Sequence, residues 1–290
     1  MMTSAPVVTI AIPTRNRGAL LKRALESAIN QSYPKIEIVV SDNNSTDETP
    51  QILNEFSGSG VIILRQRETV PMMENWNACL ERASGEYFLL LSDDDVLERE
   101  AVSALLIPFC CDQVFEGVTA DEIGVVMGRV AVVRSDERIV GWTKIGRRPE
   151  EALCAIRKFF LGARSNYPCG NLVRRSDIVL AGRYDGETYS VGADGAVWML
   201  AVLRRGYVAY VPERVARYRQ HSGNATTAVT IDEWRKASQA LENVLCRQAS
   251  QCDSGLRTAI LRHRTRMCAG LSFAHARRSQ RPSLQPMRPS

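Results

Sequence analysis

Three adjacent carboxylates, at Asp93, Asp94 and Asp95, are the strongest indication of chemistry in this chain. They follow an apolar run that is typical of a buried strand and that ends at Ser92. Adjacent carboxylates repel one another unless they are solvated, hydrogen-bonded or offset by a cation. Oxygen ligands at the edge of a cleft suit Mg²⁺ or Mn²⁺, whose coordination shell is completed by substrate phosphates. The alternative is an acidic turn that caps a helix beginning near Val96, and the spacing alone leaves both open.

Two other polar clusters also follow predicted strands. Residues 14–16, Thr-Arg-Asn, come after the apolar run of residues 7–14, and residues 41–44, Ser-Asp-Asn-Asn, end the next apolar run. In open parallel sheets, ligands bind at the carboxyl ends of the strands. All three clusters are therefore candidates for one shared site.

The elements that position these clusters alternate between strands and helices over about the first 90 residues. Period-2 and continuous apolar runs predict the strands, and apolar residues at helical spacing predict the helices. The predicted strands are 7–14, 33–42, 61–66 and 85–95, and the predicted helices are 19–31, a segment from Thr49, and 74–83. This alternation predicts an α/β fold with a single doubly wound, mostly parallel sheet flanked by helices.

The pattern is less regular after residue 110. We predict a strand over 124–133, helices over 150–160 and 192–206, and a last strand from residue 207, whereas 169–185 follows no single period. From Asp232 onward the pattern is helical and amphipathic, and the Pro, Ser and Arg content of the end is typical of disorder. We therefore predict a domain with two halves, a helical C-terminal extension and a disordered basic tail. Their ranges are 1–225 (halves 1–110 and 111–225), 226–276 and 277–290.

Charge is unevenly distributed along the chain. Residues 254–290 contain eight arginines and no acidic residue, and their charge of +8 leaves −3 on residues 1–253, out of a formal total of +5. A nucleic-acid-binding body would be expected to carry a basic face of its own, so we expect no nucleic-acid partner. The basic segment instead indicates an acidic partner or an anionic membrane surface.

Targeting and cysteine signals favour a cytoplasmic protein. No apolar run approaches the ~20 residues that cross a bilayer, and the N-terminus lacks the basic region of a signal peptide. The eight cysteines are scattered without a CxxC pair, which suits a reducing cytosol and argues against a zinc ribbon or a disulfide framework. We expect a cytoplasmic location, with peripheral contact at the inner face of the membrane as an alternative through the basic tail.

Four segments spread over roughly residues 7–225 resemble the family 2 glycosyltransferases of the GT-A fold. They are TIAIPTRNR, AINQSYPKIEIVVSDNNSTDET, NWNACLERASGEYFLLLSDDDVL and, in more degenerate form, GADGAVWMLAVLRRGYVAYVPERVARYRQHSGN. The resemblance implies transfer of a sugar, with inversion, from a nucleotide-diphosphate sugar to an acceptor hydroxyl, assisted by Mn²⁺ or Mg²⁺. It assigns nucleotide binding to residues 1–110 and acceptor binding to residues 111–225. The acceptor is unidentified, and a lipid-linked glycan would suit the family.

The resemblance also implies roles for residues of the first half. Asp42 corresponds to the carboxylate that hydrogen-bonds the base, and Thr14 and Arg15 lie beside the base and ribose. The nucleotide-binding residues that it implies are Pro13, Thr14, Arg15, Asn16, Asp42, Asn44, Asn75 and Asp93. We interpret Trp76, next to Asn75, as a core residue because of its helical spacing.

The acidic triplet resembles the metal-binding motif of the family, whose common form is Asp-Ser-Asp-Asp. Here Ser92 takes the place of the first acid, so that Asp94 becomes the leading metal ligand and Asp93 reaches towards the ribose. A shift of one residue would make Asp95 the ligand, and both alignments stay open. His221 lies in a loop where the family places a contact to the diphosphate or the metal, although an ordinary surface histidine is the alternative.

The base of an inverting transfer is a carboxylate that takes the proton of the acceptor hydroxyl. The family usually has Glu-Asp at the start of a helix in the second half, and here the pair is Ala193-Asp194. Asp194 is therefore the candidate base, and its alternative role is a helix N-terminal carboxylate stabilised by the macrodipole. Arg217 and Arg219 are candidates to neutralise the diphosphate. We interpret Trp198 as core and expect no specific role for His263 or His275.

Two other functions are alternatives to glycosyl transfer. A nucleotidyltransferase would need a glycine-rich, basic loop after the first strand, and PTRNRGALL has one glycine. An inactive binding protein of the same fold would have no reason to retain Asp42, the acidic triplet and Asp194.

The C-terminal apolar face would either lie on an anionic bilayer or pack on the catalytic domain or across a homodimer. That face comprises Leu256, Ile260, Leu261, Met267 and Leu271.

Overall fold

The computed structural model describes residues 5–111, 115–221, 223–224, 229–248 and 254–265. A sheet of ten strands lies at its centre, and helices cover both faces. The strands are β1 (Val8–Thr14), β2 (Ile36–Asp42), β3 (Ile62–Arg65), β4 (Tyr87–Leu90), β5 (Val96–Leu97), β6 (Ile123–Arg134), β7 (Ile139–Trp142), β8 (Glu150–Glu151), β9 (Asn171–Arg174) and β10 (Tyr207–Gln220).

The helices alternate with the strands as far as β4, as the periodicity predicts, and the order is less regular after that. They are α1 (Gly18–Ile29), α2 (Thr49–Glu55), α3 (Met72–Arg82), α4 (Ala101–Cys110), α5 (Ala152–Phe160), α6 (Arg175–Leu180), α7 (Gly186–Tyr189), α8 (Ala193–Arg205), α9 (Ile231–Gln248) and α10 (254–265). The strand predicted over 85–95 is shorter, at Tyr87–Leu90, and the alternative of a helix near Val96 is wrong, because β5 begins there and α4 begins only at Ala101. The acidic triplet therefore does not cap a helix.

The first half of the sheet is parallel and has the order β3-β2-β1-β4. The chain runs outward from β1 to β3 and then returns to place β4 on the other side of β1. The carboxyl ends of β1 and β4 are therefore neighbours at a topological switch point, where ligands bind in open α/β sheets. Ala11 pairs with Leu90 at this point, so residues 14–16 and 92–95 emerge side by side.

The second half of the sheet is mixed, in the order β9-β6-β10-β5. β9 is antiparallel to both β4 and β6, whereas β6 and β10 form a long parallel ladder. The sequence did not predict β9, because its four residues lie in the segment without a single period. β5 pairs antiparallel with β10, Val96 opposite Arg217, which brings the acidic triplet beside the last residues of β10. The longest ladders are parallel, and the predicted doubly wound, mostly parallel sheet is confirmed.

The apolar core forms two clusters of buried residues, and the C-terminal extension packs into one of them. Leu245, Leu256 and Ile260 are each 2% exposed or less and belong to the same cluster as α8. Leu261, by contrast, is 53% exposed. The described part of the predicted apolar face is therefore used mainly inside the protein, which favours packing on the domain over insertion into a bilayer. Met267, Leu271, His275 and the predicted tail 277–290 lie outside the described residues.

The structure bears on the expected state of the cysteines and on the expected absence of membrane-spanning helices. Among the described cysteines, five are free thiols, but Cys246 is disulfide-bonded. The sequence did not predict this disulfide in the C-terminal extension, since the scattered cysteines argued against a disulfide framework. In the part of the chain that the structure describes, no helix combines the length and apolar character needed to cross a membrane.

Candidate functional site

A cavity of about 570 Å³ opens at the carboxyl ends of the strands, where β1 and β4 diverge. Its walls come from both halves of the sheet and from the C-terminal helices. Among the described residues, its polar lining comprises Thr14, Arg15, Arg17, Asn43, Asn75, Ser92, Asp93, Asp94, Asn166, Asp194, Asn224 and Ser238. Pro13 also lines it, so the cavity collects most of the residues that the sequence analysis singled out.

Thr14 and Asp93 join the ends of β1 and β4 in the floor of the cavity. The Thr14 hydroxyl donates a 2.7 Å hydrogen bond to the Asp93 carboxylate, and both residues are buried. Arg17, which precedes α1, donates from Nη1 to Asp93 at 3.0 Å and to Asp94 at 2.8 Å. Burial raises the pKa of Asp93 to about 6, although the neighbouring Arg17 opposes the rise.

The sequence analysis missed Arg17. Its signal was available, because it is the second arginine of TRNR and lies three residues beyond the end of a strand. An arginine in such a turn is equally typical of a solvated surface, and only the turn geometry points its guanidinium at the acids.

Asp94 lines the cavity and contacts His221, which is not among the described lining residues. His221 Nε2 lies 3.0 Å from Asp94 Oδ2, and the backbone N–H of Gly223 donates to His221 Nδ1 at 3.0 Å. Because Nδ1 accepts a hydrogen bond, a neutral imidazole carries its proton on Nε2 and donates it to Asp94. His221 thus holds the carboxylate and offers no free lone pair to a cation in this arrangement. A direct metal contact through Nε2 would require Gly223 to leave Nδ1.

Asp95 points away from the cavity. Its Oδ1 accepts a 2.9 Å hydrogen bond from the backbone N–H of Arg219, and the side chain is 1% exposed. Burial and the neighbouring Asp94 carboxylate raise its pKa well above the ordinary value. The pairing of β5 with β10 creates this contact and turns Asp95 towards the sheet. Of the two alignments left open by the sequence, this arrangement favours Asp94 as the residue that faces a ligand.

The donor set of the floor fits a divalent cation that is completed by a substrate. The described residues include no group of three or more His, Cys, Asp or Glu side chains that could hold a metal by themselves. Asp94 faces the cavity with the buried Asp93 next to it. Mg²⁺ and Mn²⁺ sites in which phosphate oxygens complete the shell need one or two protein carboxylates, which is what this floor offers.

Asp42 and Asn75 lie at the end of β2 and on α3. Asp42 is fully buried: Oδ1 accepts from the backbone N–H of Ser45 at 2.9 Å, while Oδ2 accepts no hydrogen bond from any described residue. Arg65 Nε lies 3.6 Å from that oxygen. Asp42 is not among the described residues that line the cavity, and a buried carboxylate oxygen without a hydrogen-bond donor costs free energy. Asn75 donates to the carbonyl of Ser41 and lines the cavity.

Two of the predicted nucleotide-binding asparagines shape turns outside the cavity lining. Asn16 and Asn44 have left-handed backbones, with φ of 52° and 55°, a conformation that asparagine tolerates better than most residues. The Asn16 side chain accepts from the backbone N–H of Thr46 and so joins the two turns. Asn43, which the sequence analysis did not select, lines the cavity instead.

Asp194 begins α8 on the opposite wall. Asn166 donates to its Oδ2 at 3.3 Å, and Gly192 and Gly195 flank it along the cavity, so neither neighbour places a side chain over the carboxylate. Burial raises the pKa of Asp194 to about 6, while backbone N–H groups at the start of the helix oppose the rise. A carboxylate with this pKa is ionised at neutral pH and is still basic enough to accept a proton.

The far wall of the cavity is aromatic and is partly built by the C-terminal helices. Phe159, Trp234 and His263 line it, and the His263 ring stacks on Phe159 with 5.9 Å between the ring centroids. His263, for which we expected no specific role, packs against the rings of Phe159 and Phe160, and these contacts leave that expectation untested. In the sequence His263 lies between two arginines, a context that is typical of an exposed surface.

Of the two tryptophans that we interpreted as core, Trp198 is 2% exposed and Trp76 is partly buried. Trp76 also lines the cavity and packs edge-on against Tyr184. The two arginines that precede His221 make other ion pairs: Arg217 pairs with Glu98 at 2.9 Å, and Arg219 pairs with Glu137 at 2.6 Å. Arg219 Nε also donates to the backbone carbonyl of Asp94 at 3.2 Å. Neither lines the cavity among the described residues, so Arg17 is the arginine that meets the acidic floor.

Comparison with known proteins identifies the family. The model of glycosyl transferase family 2 matches residues 9–166, more than half of the chain. The chain belongs to glycosyl transferase family 2. This glycosyltransferase family 2 member is 36% identical over 104 residues to the GalNAc(5)-diNAcBac-PP-undecaprenol beta-1,3-glucosyltransferase of Campylobacter jejuni. The match covers 35% of this chain and about a third, 34%, of that relative.

Two solved structures share the fold of this family 2 member. TarS 1-349 of S. aureus in complex with UDP-GlcNAc superposes with a TM-score of 0.65 and 18% identity, covering 97% of this chain and 76% of that one. The mannosyltransferase PcManGT from Pyrobaculum calidifontis, in complex with GDP-Man and Mn2+, has a TM-score of 0.59 and 16% identity and covers 97% and 78%. At such identities these similarities show the fold, and the GT-A fold implied by the resemblance is confirmed.

Proposed function

We propose that this family 2 glycosyltransferase transfers a sugar, with inversion, from a nucleotide-diphosphate sugar to an acceptor hydroxyl. The observation that carries the proposal is that two acidic groups with different environments line one cavity. Asp94 lies in a floor of hydrogen-bonded carboxylates, and Asp194 lies near the start of α8, accepts from Asn166 and has a pKa raised to about 6. An inverting transfer needs this division between a site for the leaving diphosphate and a separate base.

The nucleotide half of the cavity would hold the donor by its base and ribose. Asp42 Oδ2 accepts no hydrogen bond from the described residues and would accept one from an N–H of the base. Thr14 orients Asp93, which is thereby available to a ribose hydroxyl at the end of β1. Pro13, Arg15 and Asn75 would contact the nucleotide, while Asn16 and Asn44 hold the turns around it.

The floor would hold the departing diphosphate, with Asp94 binding Mn²⁺ or Mg²⁺ and Asp95 holding the turn from behind. The bound cation would neutralise negative charge that develops on the diphosphate. His221 would fix the orientation of Asp94 by donating its Nε2 proton to that carboxylate. In the structural relatives, a nucleotide sugar is bound by TarS, and GDP-Man together with Mn2+ is bound by PcManGT.

The opposite wall would activate the acceptor. Asp194 would accept the proton of the attacking hydroxyl, and Asn166 would keep the carboxylate directed into the cavity. The adjacent aromatic wall of Phe159, Trp234 and His263 suits an acceptor with apolar surface. A lipid-linked glycan is the acceptor we propose, since the C. jejuni relative is named for transfer to an undecaprenol-linked glycan.

A screen of nucleotide sugars tests the proposed activity. Thermal unfolding with UDP-, GDP- and dTDP-sugars, with and without Mn²⁺, should show metal-dependent stabilisation by one class of donor. Release of the nucleoside diphosphate should follow when an acceptor extract is added. Stabilisation by nucleoside triphosphates in preference to nucleotide sugars would indicate a nucleotidyltransferase, and absence of any metal-dependent binding would indicate an inactive protein of this fold.

Cytoplasmic location with peripheral membrane contact through the arginine-rich C-terminal residues also remains a proposal. Each arginine near an anionic bilayer contributes roughly 1 kcal/mol. Liposome sedimentation with anionic and neutral vesicles measures this membrane contact, and a chain truncated after residue 265 is the control. The truncation keeps α10 and removes five arginines at positions 266, 277, 278, 281 and 288. Equal sedimentation of both chains would exclude this contact.

A further inference from the structure

Arg17 occupies the position of a cation in the acidic floor. One nitrogen of its guanidinium, Nη1, lies 3.0 Å from Asp93 and 2.8 Å from Asp94, while Nη2 donates to the carbonyl of Gly223. Its side chain is 29% exposed, whereas the two carboxylates are nearly buried, at 7% and 5%. The guanidinium therefore offsets the repulsion between two buried carboxylates that would otherwise cost stability.

We propose that Arg17 is a resident counter-cation that keeps the metal site weak until the diphosphate arrives. The inference rests on the proposed function, because it assumes that Asp94 binds a metal together with a nucleotide diphosphate. A divalent cation at Asp94 would lie within a few ångströms of the guanidinium, and the two would repel. The diphosphate brings negative charge to which Arg17 can transfer, since arginine pairs readily with phosphate oxygens.

The hydrogen bonds around Asp94 Oδ2 support this exchange. That oxygen accepts from Arg17 Nη1 at 2.8 Å and lies 3.0 Å from His221 Nε2, so two donors already occupy it. The His221 loop does not depend on Arg17 alone, because Asn224 accepts from the His221 backbone N–H at 2.6 Å. Removal of the guanidinium should therefore free the carboxylate without displacing His221.

Binding of Mn²⁺ alone measures the effect directly. Free Mn²⁺ is followed by electron paramagnetic resonance at pH 8, so that a proton does not replace the missing guanidinium. Arg17→Gln should bind Mn²⁺ in the absence of nucleotide at least ~10-fold more tightly than the wild type, because a fixed positive charge is lost from the site. The matched control is Arg15→Gln, which removes a positive charge from the same cavity. Arg15 makes no ion pair with any described residue, and this control should change Mn²⁺ affinity less than threefold.

Two further measurements keep the test decisive. Arg17→Lys retains the charge and should bind Mn²⁺ alone within threefold of the wild type. Mn²⁺ alone should raise the melting temperature of Arg17→Gln by more than it raises that of the wild type, a readout that works even if the variant is less stable. Unchanged or weaker Mn²⁺ binding by Arg17→Gln would overturn the inference, as would an Arg17→Lys variant that gains as much affinity as Arg17→Gln.

The wild type separates failure of this inference from failure of the proposed function. If it binds no Mn²⁺ with UDP, GDP or dTDP, the proposed metal-dependent transfer is wrong. If it binds Mn²⁺ with one of these nucleotides while Arg17→Gln and the wild type bind Mn²⁺ alone equally, only the role of Arg17 is wrong.

Discussion

His221 Nε2 lies 3.0 Å from Asp94 Oδ2, a contact between residues 127 positions apart. This contact joins the segment after β10 to the turn after β4, and within the acidic triplet it involves Asp94. Asp95, the next residue, is held by the backbone of Arg219 on the other side of the turn. Adjacent acids with such different partners should respond differently to the same substitution.

The first prediction compares these two acids. Asp94→Asn should abolish Mn²⁺-dependent binding of the nucleotide sugar, because it removes the charged carboxylate that faces the cavity. Asp95→Asn should leave the metal-dependent affinity within about threefold, since its amide oxygen can still accept from Arg219. Isothermal titration with and without Mn²⁺ measures both. Loss of metal dependence in Asp95→Asn alone would support the shifted alignment of the motif instead.

A second prediction concerns the rate of transfer. Asp194→Asn should lower kcat by ~10²–10⁴-fold, because the amide cannot accept the proton of the acceptor hydroxyl. Donor affinity should be nearly unchanged, since the base acts in the transition state. The control is Asp185→Asn at the start of α7, where the side chain accepts from Thr188; its kcat should be close to that of the wild type. A large loss of donor affinity with normal kcat would assign Asp194 to donor binding.

A third prediction is that Asp194→Asn is more stable than the wild type at neutral pH. The pKa of Asp194 is raised to about 6 in the folded protein, so its ionisation opposes folding. The stability that the protonated form provides is present below about pH 4 and is lost as pH rises to 6. The variant should therefore gain on the order of 1–3 kcal/mol at pH 7–8 and nothing at pH 4.

Urea unfolding at the two pH values measures this difference. The control is Asp177→Asn, because Asp177 is buried and ion-paired with Arg205 at 2.9 Å. That variant should lose stability at pH 7, since it leaves a partner without its charge. Equal stability of Asp194→Asn and the wild type at pH 8 would show that burial does not penalise the Asp194 carboxylate.

A fourth prediction concerns the base of the nucleotide. Asp42→Asn should weaken binding of the nucleoside diphosphate by roughly 10–100-fold, because the oxygen that accepts no hydrogen bond from any described residue becomes an N–H₂ group or turns away. Arg65→Ala removes the neighbouring charge and keeps the acceptor, so its affinity should change much less. Titration with UDP, GDP and dTDP measures both variants. Unchanged affinity in Asp42→Asn would place the base elsewhere.

A fifth prediction concerns α10. Leu256→Ala should lower the free energy of unfolding by about 2–4 kcal/mol, because its side chain is 2% exposed in the core. Leu261→Ala, on the same helix and 53% exposed, should change it by less than about 0.5 kcal/mol. Thermal and urea unfolding provide the comparison. Equal, small effects would mean that the helix does not pack on the domain in solution.

The sequence by itself determined the alternation of strands and helices and the polar clusters that end β1, β2 and β4. Hydrophobic periodicity is local, and the carboxyl ends of neighbouring parallel strands must share one edge. The motifs that carry the family resemblance are also local segments of sequence, and the resemblance is confirmed. The sequence did not predict the antiparallel strand β9, because its residues lie in a segment that follows no single period.

Only the tertiary structure decided which of these polar side chains meet. Asp94 and Asp95 are neighbours in the sequence, and the pairing of β5 with β10 turns one towards the cavity and the other towards Arg219. Arg17 and His263 looked like surface residues, yet a turn aims the first at the acids and helix packing inserts the second beside Phe159. Contacts of this kind depend on strand pairing and helix packing between segments far apart in the chain, which no local pattern encodes.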